Sequence, residues 1–429
     1  MRRRCFALLI VPAFLPLIIG SQGQHRFENE LGLDFDNIFS AESTLPVCFD
    51  LRGTNRLSPV RTQPTGACWA SAAMSSVESF WRTKGFSNQI LSDLNLNLYH
   101  GFDSIRNGYG NHFMATAYLT RGSGPVIKSS RTDSLKSNIP GLPVLNVGAR
   151  FLPNNAPLIK QIIKDYGAVW SMMYFRKPHF DTITDIWYTE IRNINHVIDL
   201  VGWNDTMQTK TGEGCWIAQN SLGRNFGDEG FFYIPYSDPN ILQYNAVWQE
   251  WIPWHQDNGL LYYDTLGSTS NYGFNDTVCY GLVKFTAPCK MKIDRFGSYI
   301  SLPGTIIRAE VYEHFDTTLK TLTGLIGSAN EMTCRFAGYY TIKLLKEVEI
   351  KQNRDFYVMM QYSHPTDTMP LPVEKSIAGY SHPHLTSGRC WVNPDIVKWS
   401  RTWYPCGTTS LYSGLRFDLC IRVYYRKAD

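Results

Sequence analysis

The clearest helical pattern in the chain begins at Cys68. Apolar side chains recur there at the three- and four-residue spacing that places them on one helix face, namely Trp69, Ala72, Ala73, Val77, Phe80 and Trp81. Gly66 precedes this run, and Lys84 and Gly85 supply the cation and the stop typical of a helix C-terminus. The pattern predicts a helix that carries Cys68 in its first turn.

Two later segments alternate in the manner of strands. They are residues 194–203 and 215–223, joined by the polar residues 204–214. We take Gly202 to lie opposite Gly214 in an antiparallel pair. This register places His196 opposite Asn220, within reach of a side-chain contact. The alternation therefore predicts a hairpin that brings His196 and Asn220 together.

The pattern changes after residues 253–263, where Pro253 and Asn258-Gly259 mark a domain joint. Short alternating runs follow, separated by Gly, Pro and Asn, at residues 278–286, 306–313, 339–345, 356–362 and 416–425. Short strands with such turn signals are typical of an all-β sandwich. A chain of 429 residues is also long for a single core, so two domains are expected.

Cys68, His196 and Asn220 are residue types suited to nucleophilic catalysis. A thiol at a helix N-terminus lies in the positive end of the helix dipole, which favours the reactive thiolate. An imidazole can take the thiol proton, and an Asn amide can orient that imidazole. The alternative interpretation makes Cys68 a small buried apolar residue and His196 a structural one. The chain order Cys, His, Asn favours the catalytic interpretation.

With these residues in place, the chain resembles the papain-like cysteine peptidases. The motifs that carry the resemblance lie in residues 45–52, 59–63, 66–70, 195–197, 201–203, 220–223 and 227–232. The resemblance spans roughly residues 45–236. It implies Cys68 as nucleophile, His196 as base and acid, and Asn220 as the residue that orients it. Gln63 and the Cys68 backbone N–H would form the oxyanion hole.

The chain departs from the family pattern at several positions. Gln63 precedes Cys68 by five residues, where the family usually has six. Thr65 replaces a family cysteine, so one family disulfide is missing. Leu222 stands where a tryptophan normally shields the His–Asn hydrogen bond, and Phe226 replaces a second tryptophan. No catalytic group is lost, but the short loop affects the Gln63 assignment.

Two residues are expected to contact substrate. Papain-like enzymes pair an extended peptide with a Gly-Gly stretch, and here Tyr109 replaces one glycine and Gly110 remains. The alternative for Gly110 is an ordinary turn. Asn195, beside His196, is expected to face the same cleft.

The part of the chain after the joint resembles the lectin-like domain that follows papain-like peptidases in some microbial surface and secreted proteins. The stretches that carry this looser resemblance are residues 263–267, 283–287, 338–342 and 370–374. The resemblance implies a glycan or cell-surface ligand. Aromatic side chains could stack on sugars, although aromatics in a sandwich more often belong to the core.

The N-terminus predicts export. Arg2 to Arg4 precede an apolar run from Cys5 to Ile19, and Ser21 and Gly23 suit signal cleavage before Gln24. The alternative is a membrane anchor, for which the run is short. No span is expected once the signal is removed, and the protein is predicted to be secreted or held at the cell surface, in an extracellular or periplasmic space. The predicted divisions are the signal (1–23), a short pro-segment or linker (24–44), the peptidase domain (45–254) and the lectin-like domain (255–429).

Export favours disulfide bonds among the remaining cysteines. Apart from Cys5 and Cys68, these are Cys48, Cys215, Cys279, Cys289, Cys334, Cys390, Cys406 and Cys420. Eight cysteines allow 105 pairings, and the sequence does not choose among them. No Cys/His spacing typical of zinc is seen, so no metal or other cofactor is expected.

The expected fold is an α+β papain-like domain followed by an all-β sandwich, and the expected function is that of a secreted cysteine endopeptidase with protein or peptide substrates. The formal charge of +4 gives no reason to expect a nucleic-acid partner. One alternative is a weak or inactive relative that acts as an adhesive or carbohydrate-binding protein. Another is a transglutaminase-like acyl transferase, whose triad ends in Asp, so Asn220 argues against it.

Overall fold

The computed structural model describes residues 44–103, 109–129, 144–394, 402–408 and 413–428. The predicted signal peptide lies outside the described residues, and so does the 24–44 segment except for its last residue. Within the described ranges, no helix is long and apolar enough to cross a membrane.

The described residues contain four α-helices, which are α1 (Cys68–Thr83), α2 (Asp93–Tyr99), α3 (His112–Thr120) and α4 (Ala156–Tyr166). The helix predicted from the apolar pattern is therefore confirmed as α1. It begins at Cys68, and Gly85 follows its end with a φ of +67°. Glycine adopts this left-handed conformation readily, which is why the chain turns there.

Strands make up most of the remaining structure. In the first part of the chain they are β1 (Cys48–Asp50), β2 (Val144–Leu152), β3 (Val169–Met173), β4 (Phe180–Asp181), β5 (Ile186–Trp187), β6 (His196–Thr209), β7 (Gly212–Gln219), β8 (Phe231–Pro235) and β9 (Asn245–Pro253). Further along they are β10 (Asn258–Leu261), β11 (Ser270–Tyr272), β12 (Val278–Thr286), β13 (Met291–Ile300), β14 (Thr305–Asp316), β15 (Thr321–Ser328), β16 (Met332–Cys334), β17 (Ala337–Ile350), β18 (Asp355–Ser363), β19 (Leu371–Glu374), β20 (Cys390–Asn393), β21 (Tyr404–Cys406), β22 (Asp418–Leu419) and β23 (Ile421–Lys427).

The chain forms two compact units. The first takes the described residues up to Leu94, a short stretch that begins at Val126, and Leu152–Gln249. The second takes the described residues of Asn95–Pro125, a stretch that ends at Phe151, and the chain from Glu250 onward. The units thus share the region between residues 95 and 151, which the sequence pattern does not reveal. The predicted boundary between residues 254 and 255 stays a prediction.

The first unit holds a sheet in the order β9–β3–β6–β7–β8–β5–β4, with β1 paired to β6. The predicted hairpin is present as β6 and β7, but its predicted register is wrong. Gly202 lies opposite Ile217, and the connection is far shorter than residues 204–214. Irregularities between Leu200 and Gly202, and again between Asn204 and Gln208, place extra residues in β6 and shift the pairing.

Helix α1 is buried on nearly all sides, which explains why serines interrupt its apolar pattern. Each buried serine finds a partner, because an unpaired buried hydroxyl is costly. Ser71 donates to Asp93, Ser76 donates to the Ala168 carbonyl, Ser79 donates to the Arg56 carbonyl, and Ser75 accepts from Arg61. These bonds fix the helix, and with it Cys68, inside the first unit.

The second unit is a β-sandwich. One sheet has the order β10–β23–β13–β17–β2, and a second has the order β15–β14–β18–β12–β20–β21 with β16 on β14. A third, small sheet has the order β11–β19–β22. One apolar cluster draws on the two larger sheets, with Phe296 and Ile342 from the first and Val283 and Val358 from the second. Four of the strands predicted after residue 270 are confirmed as β12, β14, β17 and β18. The run predicted at 416–425 is divided into β22 and β23, which belong to different sheets.

Candidate active site

Cys68 is the first residue of α1 and its side chain is buried, with 6% of its surface exposed. Ala67 precedes it as the N-cap and supplies no side-chain hydrogen bond. The backbone N–H groups of Val197 and Trp69 approach the thiol closely enough to favour its ionised form. Since Val197 follows His196 directly in β6, the start of α1 lies against the first residues of that strand.

Burial raises the pKa of Cys68 above its ordinary value, and the hydrogen bonds from the backbone of Val197 and Trp69 oppose this shift without cancelling it. The physical reason is that a buried charge loses its hydration.

His196 opens β6, and its ring is held by Asn220. Nε2 of His196 lies 2.9 Å from Oδ1 of Asn220, and the Ser221 backbone N–H donates to the same oxygen at 2.8 Å. The Asn220 oxygen can accept only if Nε2 carries the proton, which leaves Nδ1 as the basic atom. Burial lowers the pKa of His196, and the Asn220 bond opposes this shift. Neutral imidazole with a free Nδ1 is the form that can take a thiol proton.

The predicted contact of His196 with Asn220 is thus present although the predicted register is wrong. Asp199 pairs with Gln219 across β6 and β7, and β7 ends there. Asn220 lies just beyond the strand, where the Gly230 carbonyl accepts its backbone N–H at 2.9 Å. Because Asn220 has left the ladder, its side chain reaches His196 without being its cross-strand partner.

Gln63 is positioned by Ser221. The Gln63 backbone N–H donates to the Ser221 carbonyl at 2.8 Å, and the Ser221 hydroxyl donates to Oε1 of Gln63 at 2.5 Å. With its oxygen accepting, the Gln63 amide has its nitrogen available as a donor, which is the group an oxyanion needs. The short loop therefore keeps a defined Gln63 side chain.

An aromatic cluster beside His196 was not predicted. The Phe175 ring lies 5.2 Å from the His196 ring, and it also contacts Trp187 at 4.8 Å and Phe226 at 5.6 Å between centroids. Phe226 stacks on Phe180 at 4.6 Å. The sequence shows several aromatic residues between 170 and 190, which could have suggested an aromatic cluster. Their spacing does not show that the cluster lies beside His196.

The aromatic cluster shows what surrounds His196 in a chain that has Leu222 and Phe226 at the positions of two family tryptophans. Leu222 is 41% exposed. Phe226 joins the aromatic cluster without a ring contact to His196 among the described contacts. Phe175 is the aromatic residue that lies on the His196 ring.

The two predicted substrate contacts belong to different units. Asn195 is exposed beside His196, but its amide is engaged with Phe175, whose N–H it accepts at 2.7 Å and whose carbonyl it donates to at 3.0 Å. It therefore holds Phe175 in place. Gly110 belongs to the second unit, where it precedes the Asn111 cap of α3. Both assignments stay predictions.

A buried network of charged side chains packs against α1, and the sequence analysis did not predict it. The Arg61 guanidinium pairs with Glu78 and lies 3.4 Å from Asp93, and it also donates to the Leu91 carbonyl at 2.9 Å. These side chains are almost fully buried. In the sequence analysis Arg61 was only one residue of the 59–63 family motif. The sequence did not show that Arg61 pairs with Glu78 and Asp93.

Taken together, the described residues bring a thiol, an imidazole and an amide that hydrogen-bonds this imidazole into one unit. Gln63 adds a donor for a developing oxyanion. Such a set can transfer the thiol proton to the imidazole as sulfur attacks a carbonyl carbon. The chemistry it fits is acyl transfer to sulfur.

Comparisons with known proteins agree with the two-part organisation. Residues 148–246 match the model of the papain family cysteine proteases, and residues 260–423 match that of the lectin-like domain. The chain is 25% identical over 206 residues to a viral cathepsin of the Lymantria dispar multicapsid nuclear polyhedrosis virus, covering 44% of this chain and 54% of that protein. It is 27% identical over 216 residues to a cysteine protease of Blomia tropicalis, covering 46% of this chain and 63% of that protein. The chain therefore spans less than two thirds of these relatives.

Two solved structures of one protein resemble nearly the whole chain. The clostridial cysteine protease Cwp84 after propeptide cleavage gives a TM-score of 0.74 at 18% identity, covering 89% of this chain and 99% of the other. The cysteine protease and lectin-like domains of Cwp84, a surface layer associated protein of Clostridium difficile, give a TM-score of 0.74 at 17% identity, covering 90% of each chain. These likenesses concern the fold. They confirm a papain-like α+β fold followed by a lectin-like β-domain.

Proposed function

We propose that this protein is a secreted cysteine endopeptidase in which Cys68 is the nucleophile, His196 the base and acid, and Asn220 the residue that orients His196. Homology to papain-family cysteine proteases supports a peptidase. The observation that carries the assignment is the 2.9 Å contact between His196 and Asn220, in a strand whose next residue, Val197, hydrogen-bonds Cys68.

In this proposal the reaction starts from a neutral pair. His196 takes the Cys68 proton as sulfur attacks the peptide carbonyl, so the thiolate and imidazolium form on the way to the acyl-enzyme. Gln63 and the Cys68 backbone N–H stabilise the oxyanion. His196 then gives its proton to the leaving amine and activates the water that releases the acid product. Burial opposes the charge on each of the two groups.

The proposed partners are proteins or peptides at the papain-like region and a glycan or cell-surface ligand at the lectin-like domain. Support for the glycan comes from the match to the lectin-like domain and from the similar fold of Cwp84, a surface layer associated protein. Aromatic stacking lends no support, since Phe315, Tyr357, Trp391 and Trp403 are buried together. Binding of the full chain to a glycan array tests this part of the proposal.

Secretion and disulfide bonding are also proposed. Seven of the eight cysteines expected to pair are free thiols in the structure, namely Cys215, Cys279, Cys289, Cys334, Cys390, Cys406 and Cys420. Two of them, Cys390 and Cys406, lie directly opposite each other on β20 and β21. They are the pair for which the fold gives specific support.

The test of the proposed activity is purified full-length protein incubated with an unbiased peptide library. We expect cleavage within peptides that a thiol-alkylating reagent abolishes. Cleavage that survives full alkylation of Cys68 contradicts the mechanism. A folded protein that neither cleaves peptides nor reacts with a peptide-mimicking thiol label contradicts the function and favours the inactive, adhesive alternative.

A further inference from the structure

A small polar cavity lies behind the His196–Asn220 pair. The residues that line it include Val197 and Asp199 from β6, Gln219 from the end of β7, Ser75 from α1, and Asn220 and Arg61. All belong to the first unit. The space open to the centre of a water molecule is about 10 Å³, which is about the least that admits one water.

Three polar atoms of the residues that line this cavity lack a hydrogen-bond partner among the described residues. They are Oδ1 of Asp199, Oε1 of Gln219 and Nδ2 of Asn220. The side chains of all three residues are more than nine-tenths buried. Buried polar groups in folded proteins are almost always paired, with protein or with ordered water. Three such atoms around one cavity therefore point to a shared ligand.

The chemistry of the three atoms defines that ligand. The Asn220 nitrogen can donate one hydrogen bond, and the oxygens of Asp199 and Gln219 can accept one each. A water molecule can donate two hydrogen bonds and accept up to two, and buried waters typically make about three hydrogen bonds. A single water thus satisfies all three atoms.

Building on the proposed function, we propose that this cavity binds one water molecule and that Asp199, through this water, is a positioning residue for Asn220. The water holds the Asn220 nitrogen toward the cavity, so that the Asn220 oxygen faces His196. A flipped amide would point its nitrogen at Nε2 of His196 and favour the wrong tautomer. Asp199 therefore keeps Nδ1 of His196 available for the Cys68 proton.

The surroundings of Asp199 suit this role. Burial raises its pKa well above the ordinary value, with Arg61 opposing the shift and Glu78 adding to it. A neutral carboxyl is less costly to bury than a carboxylate, and its carbonyl oxygen still accepts a hydrogen bond from water. Asp199 and Gln219 also lie directly opposite each other in the pairing of β6 with β7. Side chains of such opposite residues project from the same face of the sheet.

The test is a double-mutant cycle on full-length protein, with Asp199→Ala made in the wild-type and in the Asn220→Ala background. Asp199→Asn is the matched control, since it keeps a carbonyl oxygen in place. We expect Asp199→Ala to lower kcat about 3- to 10-fold, the worth of about one hydrogen bond, with KM unchanged. Asp199→Asn should stay within about 2-fold of wild type. In the Asn220→Ala background, Asp199→Ala should cause no further loss.

An equal loss in both backgrounds would show that Asp199 does not act through Asn220 and would overturn the inference. A second measurement is independent of activity. A high-resolution crystal structure should show an ordered water within hydrogen-bond distance of the three atoms, and a dry cavity would overturn the site. If wild-type protein cleaves no peptide, the proposed function fails while the crystal structure still decides the water site.

Discussion

Nε2 of His196 lies 2.9 Å from Oδ1 of Asn220. This contact fixes which ring nitrogen of His196 can act as a base. In the proposed mechanism Asn220 orients His196 and transfers no proton.

The first prediction follows from that difference in roles. Asn220→Ala should lower kcat by about 10- to 100-fold, and His196→Ala should lower it further, because only His196 moves the proton. Steady-state kinetics on a peptide substrate measures both. A larger loss in Asn220→Ala than in His196→Ala would reverse the assignment.

The second prediction concerns Phe175, whose ring lies 5.2 Å from that of His196. Phe175→Ala should expose the hydrogen bond of His196 to water and lower kcat by about 3- to 10-fold. Leu222→Ala is the control, since Leu222 is 41% exposed and should change kcat by less than about 2-fold. The opposite order would mean that Leu222 shields the site as the family tryptophan does.

The third prediction concerns the resting charge state. Burial raises the pKa of Cys68 and lowers that of His196, so both groups are neutral between the two values. Alkylation of Cys68 by iodoacetamide should be slow at pH 6 and rise with a midpoint above the ordinary thiol value of about 8.5. The hydrolysis rate should fall on the acid side only below about pH 6.5, where His196 becomes protonated.

A fast alkylation rate that is already constant at pH 5 to 6 would contradict this prediction. It would show that thiolate and imidazolium exist as an ion pair in the free protein. Cys68→Ala protein provides the background rate at each pH.

The fourth prediction concerns the lectin-like domain. Cys390 and Cys406 are direct partners across β20 and β21, and both are buried. Opposite residues of antiparallel strands have Cα atoms about 4.5 to 5.5 Å apart, within the range a disulfide spans. Oxidised glutathione should therefore link the two thiols, with two electrons and two protons passing to the glutathione disulfide. A closed loop of this size adds about 3 kcal/mol to the free energy of unfolding.

Peptide mapping without reduction measures this link. Cys279 and Cys334 are the controls, since their strand partners are Tyr362 and Thr305. Protein secreted by its host in which Cys390 and Cys406 remain reduced would contradict the prediction.

Local patterns were sufficient to predict some features. The start of α1 at Cys68 could be predicted because helical periodicity and end signals lie close together in sequence. The strand β12 was predicted with its observed bounds, because alternation and turn residues delimit it. The family motifs supplied the order of Cys68, His196 and Asn220.

Features that depend on distant residues could not be predicted. The irregular pairing in β6 depends on backbone geometry that alternation does not encode. The raised pKa of Cys68 follows from burial by the whole unit, whereas the helix dipole is local. The importance of Phe175 and Asp199 depends on their neighbours in space. No motif or spacing in the sequence marks either residue.

The most direct test of the account compares Cys68→Ala with Cys215→Ala in peptide hydrolysis. Both thiols are buried in the first unit, but Cys215 has a Met207 sulfur as neighbour and burial raises its pKa to about 12. Circular dichroism should show that both variants fold. We predict that Cys68→Ala loses all measurable hydrolysis while Cys215→Ala keeps the wild-type rate within about 2-fold. Hydrolysis above a few per cent of wild type in purified Cys68→Ala protein would contradict the central claim.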